Sequence, residues 1–398
     1  MFKSYRKEWS FPEEITFLNH GSFGACPRII LERQDKLRHE LEQNPMDFLH
    51  RTLEKRLDTA RERLASFVGC SPECLVFVSN ATTGVNAVLQ SLDLRQGDEI
   101  LVNNHEYNAS RNALDYVAGL KGCKVICVEI PYPVQSKDDV IEPFLAAATP
   151  RTRLAMFDHI TSATGFIMPV KELTERFNQL GIETLIDGAH GPGMVPLELE
   201  KLGATYYTGN CHKWMCTPKG SALLYVQQGK LEKIHPPVIS HGWNTLRTDR
   251  SKYLIQFGWT GTLCPTPWLC IPDTIDYLEN LVPGGWSAIQ KRNHELALAG
   301  RDLICRELGM PIPCPDEFQG SMVTIALPPD PQLRPPLLPR FEAILQNRLW
   351  EEHRIEAPIF FWPDFKTRWV RISAQLYNSM EDYQKLAEAL KKELSLGY

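Results

Sequence analysis

Seven short apolar runs, separated by amphipathic stretches, constrain the fold of this chain more than any other feature of its sequence. The runs are LVFVSN (75–80), EILVNN (99–104), KVICVEI (124–130), RLAMFDHI (153–160), ETLIDGAH (183–190), ATYYTGN (204–210) and SALLYV (221–226). The stretches between them include NAVLQSLDL (86–94), SRNALDYVAGL (110–120) and PVKELTERFNQLG (169–181). Strands that are apolar on both faces and alternate with helices are typical of a parallel sheet covered on both sides. The pattern predicts an α/β fold with a mostly parallel seven-stranded sheet sandwiched by helices.

The segments on either side of this region follow other patterns. Residues 31–68 have apolar positions at helical spacing, and the interruption at Asn44-Pro45 predicts two helices joined by a break. Beyond about residue 270 we predict two strands, near 321–327 and 368–373, and three helices, over 286–308, around 338–352 and over 381–394. The Pro-rich stretch 327–340 is predicted to be a loop. The predicted organisation is an N-terminal segment (1–28), a large domain (29–270) and a small α+β C-terminal domain (271–398).

The composition excludes several classes of protein. The 398 residues contain 43 Lys+Arg against 48 Asp+Glu, a net charge of −5, which gives no general basic field for nucleic acid or an anionic membrane. No apolar run reaches the roughly 18–20 residues that span a bilayer, and the first residues lack the apolar run of a signal peptide. We therefore expect a cytoplasmic protein without a nucleic-acid or membrane partner. The 11 cysteines have no CxxC pair and no zinc spacing, so we interpret them as free thiols and expect no metal.

Three of the predicted strand ends carry unusual residues, and ligands of open α/β sheets bind at the carboxyl ends of strands. After the first strand, Asn80, Ala81 and Thr82 open a helix whose free N–H groups and hydroxyls form a candidate phosphate cradle. The alternative is that Thr82 is an ordinary N-cap.

The other two strand ends offer an acid and a lysine. Asp187 ends a buried strand, with His190 three residues later, and a buried carboxylate must meet a cation or a cofactor. The alternative is that Asp187 only caps the next turn. His212 and Lys213 follow the next strand, and this lysine is either a surface residue or a nucleophile that forms an imine.

Together the three strand ends fit one cofactor, pyridoxal 5'-phosphate (PLP). This cofactor needs a phosphate cup, a carboxylate to keep its pyridine nitrogen protonated, and a lysine to form the imine that a substrate amine displaces. Thr82 with His212, then Asp187, then Lys213 supply these parts.

With these residues in place, the sequence resembles the class V aminotransferase family of fold-type I PLP enzymes. The resemblance covers nearly the whole chain, and within the family it is strongest to the isopenicillin N epimerase group. The matching motifs are LNHGSFG (18–24), NPMDFL (44–49), DGAHGPG (187–193), GNCHKW (209–214), HRIEAP (353–358) and VRIS (370–373).

The resemblance implies a role for each matching residue. Lys213 is implied to form the Schiff base, Asp187 to hold the pyridine nitrogen, and His190 to bond the phenolic oxygen of the cofactor. The implied phosphate contacts are Ala81, Thr82, Asn210 and His212, with Asn210 standing where the family usually has serine. Tyr107 is implied to stack over the ring and Gly261-Thr262 to reach the phosphate of a dimer partner. The implied substrate contacts are Asn19, His20, Gly21 and Arg371, the last by forking the carboxylate.

Structural alternatives remain open for three of these residues. Tyr107 could be a packed core aromatic, and Arg371 could belong to a structural ion pair. Cys211, beside His212, is interpreted as a buried filler and alternatively as a nucleophile.

The expected reaction begins with removal of the Cα proton by Lys213, as in an epimerase acting on an amino acid or amino-acid-containing peptide. The alternatives are a C–S lyase or aminotransferase of the same family, or a catalytically silent binding module, which would be expected to lose the lysine or the aspartate. Family desulfurases carry a nucleophilic cysteine before the terminal arginine, whereas residues 355–371 contain none. We expect Phe360, Phe361 and Trp362 in this loop to form a hydrophobic lid.

Overall fold

A computed structural model describes residues 2–332, 334, 343–364 and 366–398 of the chain. In chain order, the strands are β1 (Thr16–Phe17), β2 (Leu75–Val78), β3 (Glu99–Asn103), β4 (Lys124–Val128), β5 (Thr152–Asp158), β6 (Glu183–Asp187), β7 (Tyr206–Asn210), β8 (Ala222–Val226), β9 (Met322–Ala326), β10 (Ile355–Glu356), β11 (Ile359–Phe361) and β12 (Arg368–Ser373). The α-helices are α1 (His20–Phe23), α2 (Arg28–Gln43), α3 (Leu53–Val68), α4 (Ala81–Ser91), α5 (Asn108–Lys121), α6 (Asp138–Ala147), α7 (Val170–Gln179), α8 (Leu199–Leu202), α9 (Lys252–Gly258), α10 (Thr266–Leu269), α11 (Ile271–Leu281), α12 (Gly285–Leu308), α13 (Ile344–His353) and α14 (Met380–Ser395).

The seven predicted strands form a single sheet, which confirms the predicted fold class. The order across the sheet is β2-β8-β7-β6-β5-β3-β4, and only β8 is antiparallel to its neighbours. Since the other six strands share one direction, their carboxyl ends lie along the same edge of the sheet. This edge brings together residues that are far apart in sequence.

Helices cover both faces of the sheet, as the continuous apolar runs require. Along β5, Ala155 and Phe157 belong to a core shared with α3 and α11, while Leu154 and Met156 belong to a core shared with α4 and α5. Each large apolar side chain buried in this way stabilises the fold by about 1.5–3 kcal/mol. The sheet is therefore packed against an apolar core on each face.

The break predicted near Asn44-Pro45 lies between α2 and α3. The chain there forms a wide π-helical turn over Asp47–Thr52, and Phe48 within it is buried. Two helices joined by a break were therefore predicted correctly.

A second, antiparallel sheet of order β11-β12-β9 packs with α12 and α14. Strands β9 and β12 and helices α12 and α14 match the predicted elements, and α13 begins at Ile344. The remainder of the helix predicted around 338–352, at 338–342, lies outside the described residues, as do positions 333 and 335–340 of the Pro-rich stretch. The interpretation of 355–371 as a loop was wrong, because Ile359–Phe361 pair with β12 as a third strand.

The N-terminal residues join this second sheet region. Strand β1 pairs in parallel with β10, and the Ser373 amide donates to the Leu18 carbonyl at 2.9 Å. Leu18 is fully buried in the same core as Val370 and Ile372. Among the described residues, none of the helices combines the length and apolar character that crossing a membrane requires.

Candidate active site

A cavity of about 520 Å³ opens at the carboxyl edge of the large sheet. It lies where strands β2, β5, β6 and β7 end, as expected for this class of fold. Its lining contains most of the residues predicted from the sequence: Ala81, Thr82, Tyr107, Asp187, His190, Asn210, His212 and Lys213.

Lys213 lies in the turn after β7, and its surroundings favour the uncharged amine. Burial, reinforced by the positive charge of Arg371, lowers the pKa of Lys213 to about 7, while Asp187 opposes this shift. At neutral pH the Lys213 side chain is therefore uncharged in about half of the molecules. The uncharged amine has the lone pair that a nucleophile or base needs.

His190 faces Lys213 in a defined tautomer. The indole N–H of Trp214 donates to His190 Nδ1 at 3.1 Å, so the proton of the neutral ring resides on Nε2. This Nε2 is 3.2 Å from Lys213 Nζ. Burial holds the pKa of His190 well below its usual value, so the ring stays neutral and offers one N–H to the cavity.

Asp187, the last residue of β6, is 2% exposed and lines the cavity. Its Oδ2 accepts from the Ser110 hydroxyl at 2.6 Å, and its Oδ1 accepts from the Ala189 amide at 3.0 Å. Burial raises the pKa of Asp187, whereas these two donors lower it. The carboxylate therefore caps the turn, as the alternative proposed, and also faces the cavity.

The N-terminus of α4 forms the opposite end of the cavity. Asn80 is the N-cap, because its side chain accepts from the Thr83 amide at 2.9 Å. Thr82 is thus not the cap, and its hydroxyl bonds to no other described residue. The Ala81 amide already donates to Asn210 Oδ1 at 2.9 Å, so the described structure leaves it no free proton for a phosphate. Asn210 retains its Nδ2 as a donor.

Arg371, on β12, is 1% exposed and has no ion pair with a described residue, so the structural ion pair considered above is absent from this part of the chain. Its guanidinium donates to the Ser162 carbonyl at 2.5 Å and to Ser22 Oγ at 3.0 Å. Its Nε has no partner, and Phe360 lies 4.6 Å from the guanidinium carbon. Burial lowers the pKa of Arg371 to about 9, so the cation is costly without an anion.

The predicted substrate contacts in the N-terminal loop divide into two groups. Asn19 Oδ1 accepts from Arg371 at 3.3 Å, and Gly21 approaches the same guanidinium so closely that a Cβ there would lie 3.5 Å from it. His20 is fully buried, and both of its ring nitrogens already have partners. Its Nδ1 lies 2.7 Å from the Tyr377 hydroxyl and its Nε2 2.9 Å from the Lys213 carbonyl, so it supports the lysine backbone.

The remaining predicted residues lie in distinct environments. Tyr107 is 44% exposed at the cavity, which rules out a packed core position. Cys211 is fully buried in the core and burial raises its thiol pKa, so it is a filler rather than a nucleophile. Thr262 is exposed and lines a separate cleft beside Met46 and His50.

The segment predicted to form a hydrophobic lid is held in place by Trp362. The Trp362 ring packs on the His105 ring with 4.2 Å between ring centroids, and its indole N–H donates to the Asn104 carbonyl.

Sequence reasoning missed two acids near Asp187, of which Asp158 lines the cavity and Glu106 does not. Glu106 and Asp158 lie so close to Asp187 that one carboxylate oxygen of each falls within 4.8 Å of the others. The available signals were the position of Asp158 at the end of an apolar run and of Glu106 beside Tyr107. No spacing rule connects them, because their proximity depends on the order of strands in the sheet.

The donor set fits PLP. A helix N-terminus with the Thr82 hydroxyl suits a phosphate, Asp187 suits a pyridinium, and Lys213 offers an amine that is partly uncharged at neutral pH. The unpartnered Nε of buried Arg371 suits the carboxylate of an amino-acid substrate.

Comparison with known proteins agrees with this chemistry. The family model for aminotransferase class V matches residues 17–386. The chain is similar to an isopenicillin N epimerase of Amycolatopsis lactamdurans, at 35% identity over 97% of both chains. It is also similar to a putative L-cysteine desulfhydrase of Oryza sativa subsp. japonica, at 31% identity over 96% of this chain and 84% of that one.

Among solved structures, the fold matches a lysine-to-alanine mutant of C-DES that has glycine covalently linked to its PLP cofactor. The TM-score is 0.81 at 21% identity, covering 97% of this chain and 98% of the other. The match with the family model and the end-to-end similarity to these relatives show that the chain is a PLP-dependent enzyme of the class V aminotransferase family.

Proposed function

We propose that this enzyme removes the Cα proton of an amino acid or amino-acid-containing peptide, in the manner of an isopenicillin N epimerase. The observation that carries the proposal is the pairing of a lysine of lowered pKa with a buried arginine that has no ion pair among the described residues. The similarity to epimerases at 35% identity supports it.

Arg371 orients the substrate in this proposal. Its planar guanidinium accommodates a carboxylate by two parallel hydrogen bonds, and burial strengthens such a charge-assisted pair. The guanidinium already donates hydrogen bonds to the Ser162 carbonyl, Ser22 Oγ and Asn19 Oδ1. These bonds fix the plane of the guanidinium before the substrate binds.

Lys213 then moves the proton. When bound, PLP supplies an aldehyde that condenses with amines and a pyridinium ring that withdraws electrons from Cα. Asp187 would hold a negative charge for the pyridine nitrogen, and Thr82, Asn210 and His212 would hold the phosphate. His190, whose Nε2 faces Lys213 Nζ at 3.2 Å, would donate to the phenolic oxygen. Lys213, with a pKa of about 7, both accepts and returns a proton near neutral pH.

Tyr107 is the candidate for proton return on the second face, which an epimerase needs. It lines the cavity, and its phenol lies close enough to Arg371 to affect the arginine pKa. The second candidate function, C–S lysis, is favoured by the 31% identity to a putative L-cysteine desulfhydrase. None of the described cysteines lines the cavity, so transfer of sulfur to a protein thiol is disfavoured.

The test is incubation of purified enzyme with a panel of L-amino acids, cysteine and cystine in D₂O. The proposal expects deuterium at Cα and formation of the D-isomer, with Tyr107→Phe retaining exchange but losing the D-isomer. Release of pyruvate and sulfide without D-isomer would establish the lyase instead.

We also propose that the enzyme is a homodimer in which Thr262 reaches the partner's phosphate site. The exposure of Thr262, its position outside the Lys213 cavity, and exposed apolar residues such as Met46 (59%) and Trp243 (54%) support this assembly. Subunits carrying Lys213→Ala and subunits carrying Thr262→Asp are each expected to be inactive. Random mixing of the two should restore about a quarter of wild-type activity, because half the dimers then contain one intact site. A fully active monomer in sedimentation would contradict the proposal.

A further inference from the structure

Three carboxylates meet beneath the cavity, at the ends of neighbouring strands. Asp158 and Asp187 are the last residues of β5 and β6 and are register partners, and Glu106 follows β3, which adjoins β5. One oxygen of each lies within 4.8 Å of the others. Like charges at this separation, away from water, strongly repel.

The three acids have unequal hydrogen-bond partners. Asp187 accepts hydrogen bonds from the Ser110 hydroxyl and from the Ala189 amide. By contrast, both carboxylate oxygens of Glu106 and the Oδ2 of Asp158 lack a hydrogen-bond partner among the described residues. Asp158 is only 3% exposed. Hydrogen-bond donors therefore favour ionisation most strongly at Asp187.

We propose that Glu106 and Asp158 are positioning residues that stay protonated, so that the cluster presents a single negative charge, on Asp187, to the pyridine nitrogen of the cofactor. This inference rests on the proposed role of Asp187. With all three acids ionised, a charge of −3 would face one pyridinium. If Glu106 and Asp158 keep their protons, the single negative charge of Asp187 faces the single positive charge of the pyridinium.

The surrounding charges agree with this assignment. Burial and the charge of Asp187 raise the pKa of Glu106 well above its usual value, against opposing effects of the Tyr107 backbone N–H and of Arg111. Burial, with Glu106 and Asp187, likewise raises the pKa of Asp158, while its own backbone N–H and Lys213 lower it. Burial and, after it, the charge of Asp187 raise the pKa of the Tyr207 phenol.

The test is the pH dependence of unfolding of the full chain without added cofactor, in wild type and in Glu106→Gln. A protonated Glu106 loses its proton on unfolding, so raising the pH destabilises the wild type more steeply than the amide variant, in which only Asp158 still loses a proton. The ratio of the wild-type to the variant unfolding constant is expected to rise by up to tenfold per pH unit as the pH increases above the ordinary range of a carboxyl pKa. Glu175→Gln, at an exposed position on α7, controls for the substitution itself.

Parallel pH dependences of wild type and Glu106→Gln would overturn the inference. Asp158→Asn provides the same comparison if Glu106→Gln does not fold. The unaltered chain provides a further measurement, since its infrared spectrum at pH 7 should contain the carbonyl stretch of protonated carboxyl groups, and absence of that band would refute the proposal.

A spectroscopic readout connects the cluster to the cofactor. In the holoenzyme, Glu106→Gln is expected to leave the visible band and its pH titration unchanged, whereas Asp187→Asn shifts them. A shifted titration in Glu106→Gln would mean that Glu106 is ionised. Since the unfolding experiment needs no cofactor, a chain that failed to bind PLP would refute the proposed function without affecting the protonation result.

Discussion

At Gly24 the N-terminal loop touches the backbone of Lys213, and we expect Gly24→Ala to disable the proposed site without altering any of its side chains. The φ of 70° and ψ of 172° of Gly24 lie in a region that essentially only glycine occupies. A Cβ built there would lie 2.1 Å from the His212 carbonyl oxygen and 2.9 Å from Lys213 Cα. Since normal carbon–oxygen contacts exceed 3 Å, the loop or the lysine backbone must move by about 1 Å.

The expected cost has two parts. The backbone strain contributes about 1–3 kcal/mol, and overpacking against the Lys213 backbone adds a further 1–3 kcal/mol. A displacement of about 1 Å at a reacting group reduces turnover by roughly 100-fold. We therefore expect Gly24→Ala to lose about 2–6 kcal/mol of unfolding free energy and most of its activity.

Gly97→Ala is the matched control. Gly97 has a φ of +88°, and a Cβ there would meet nothing within 4 Å. It should share the backbone strain while keeping normal turnover. The assays are denaturant unfolding of both variants and steady-state kinetics on whichever substrate the panel identifies. The reasoning is refuted if Gly24→Ala is as active as Gly97→Ala or no less stable.

Three further predictions concern protons and tautomers. The rate at which Lys213 captures the cofactor aldehyde, followed by absorbance, should rise with pH and level off above about 7, because burial stabilises the uncharged amine; a midpoint near 10 would contradict the lowered pKa. Trp214→Phe removes the donor that fixes the His190 tautomer and should weaken cofactor binding roughly tenfold, or about 1–2 kcal/mol, in an absorbance titration; unchanged affinity would refute this role. His159 is 8% exposed, and burial lowers its pKa to about 4. As the pH falls below about 6.5, His159 is protonated in the unfolded chain but not in the folded one, so the folded state loses stability until the pH reaches about 4. In His159→Gln the loss of unfolding free energy between pH 7 and pH 5 should shrink by about 2 kcal/mol, and an equal loss in both proteins would show that another group is responsible.

The large sheet could be predicted because strands buried on both faces require continuous apolar sequence. Leu154 and Met156 face one core while Ala155 and Phe157 face the other, so positions 154–157 of β5 are all apolar. Strand β11 lacked such a signal. It has three residues flanked by Pro358 and Pro363, so its pairing with β12 depends on tertiary contacts. The two-residue pair of β1 and β10 likewise has no local signature.

The site could be predicted where a residue ends its own strand, as Asp187 does, or directly follows one, as Lys213 does. It could not be predicted where function depends on neighbours from other strands. Glu106 and Asp158 meet only because β3 lies beside β5 in the sheet while β4 lies at its edge. This order of strands cannot be inferred from their order along the chain. The direction of the His20 ring is set by Tyr377, which is 357 positions away.

Because His20 and Tyr377 are far apart in the chain, the parts of the site become available at different times during synthesis. When β8 has emerged from the ribosome, all seven strands of the large sheet are available, but Arg371 and Tyr377 are not. At 5–20 residues per second, the remaining part of the chain takes roughly 10–30 seconds to follow. Throughout that interval the Lys213 amine lacks the neighbouring guanidinium that helps to lower its pKa. The nascent lysine is therefore a poorer nucleophile than the finished one, and we expect it to capture a cofactor aldehyde more slowly until β12 is in place.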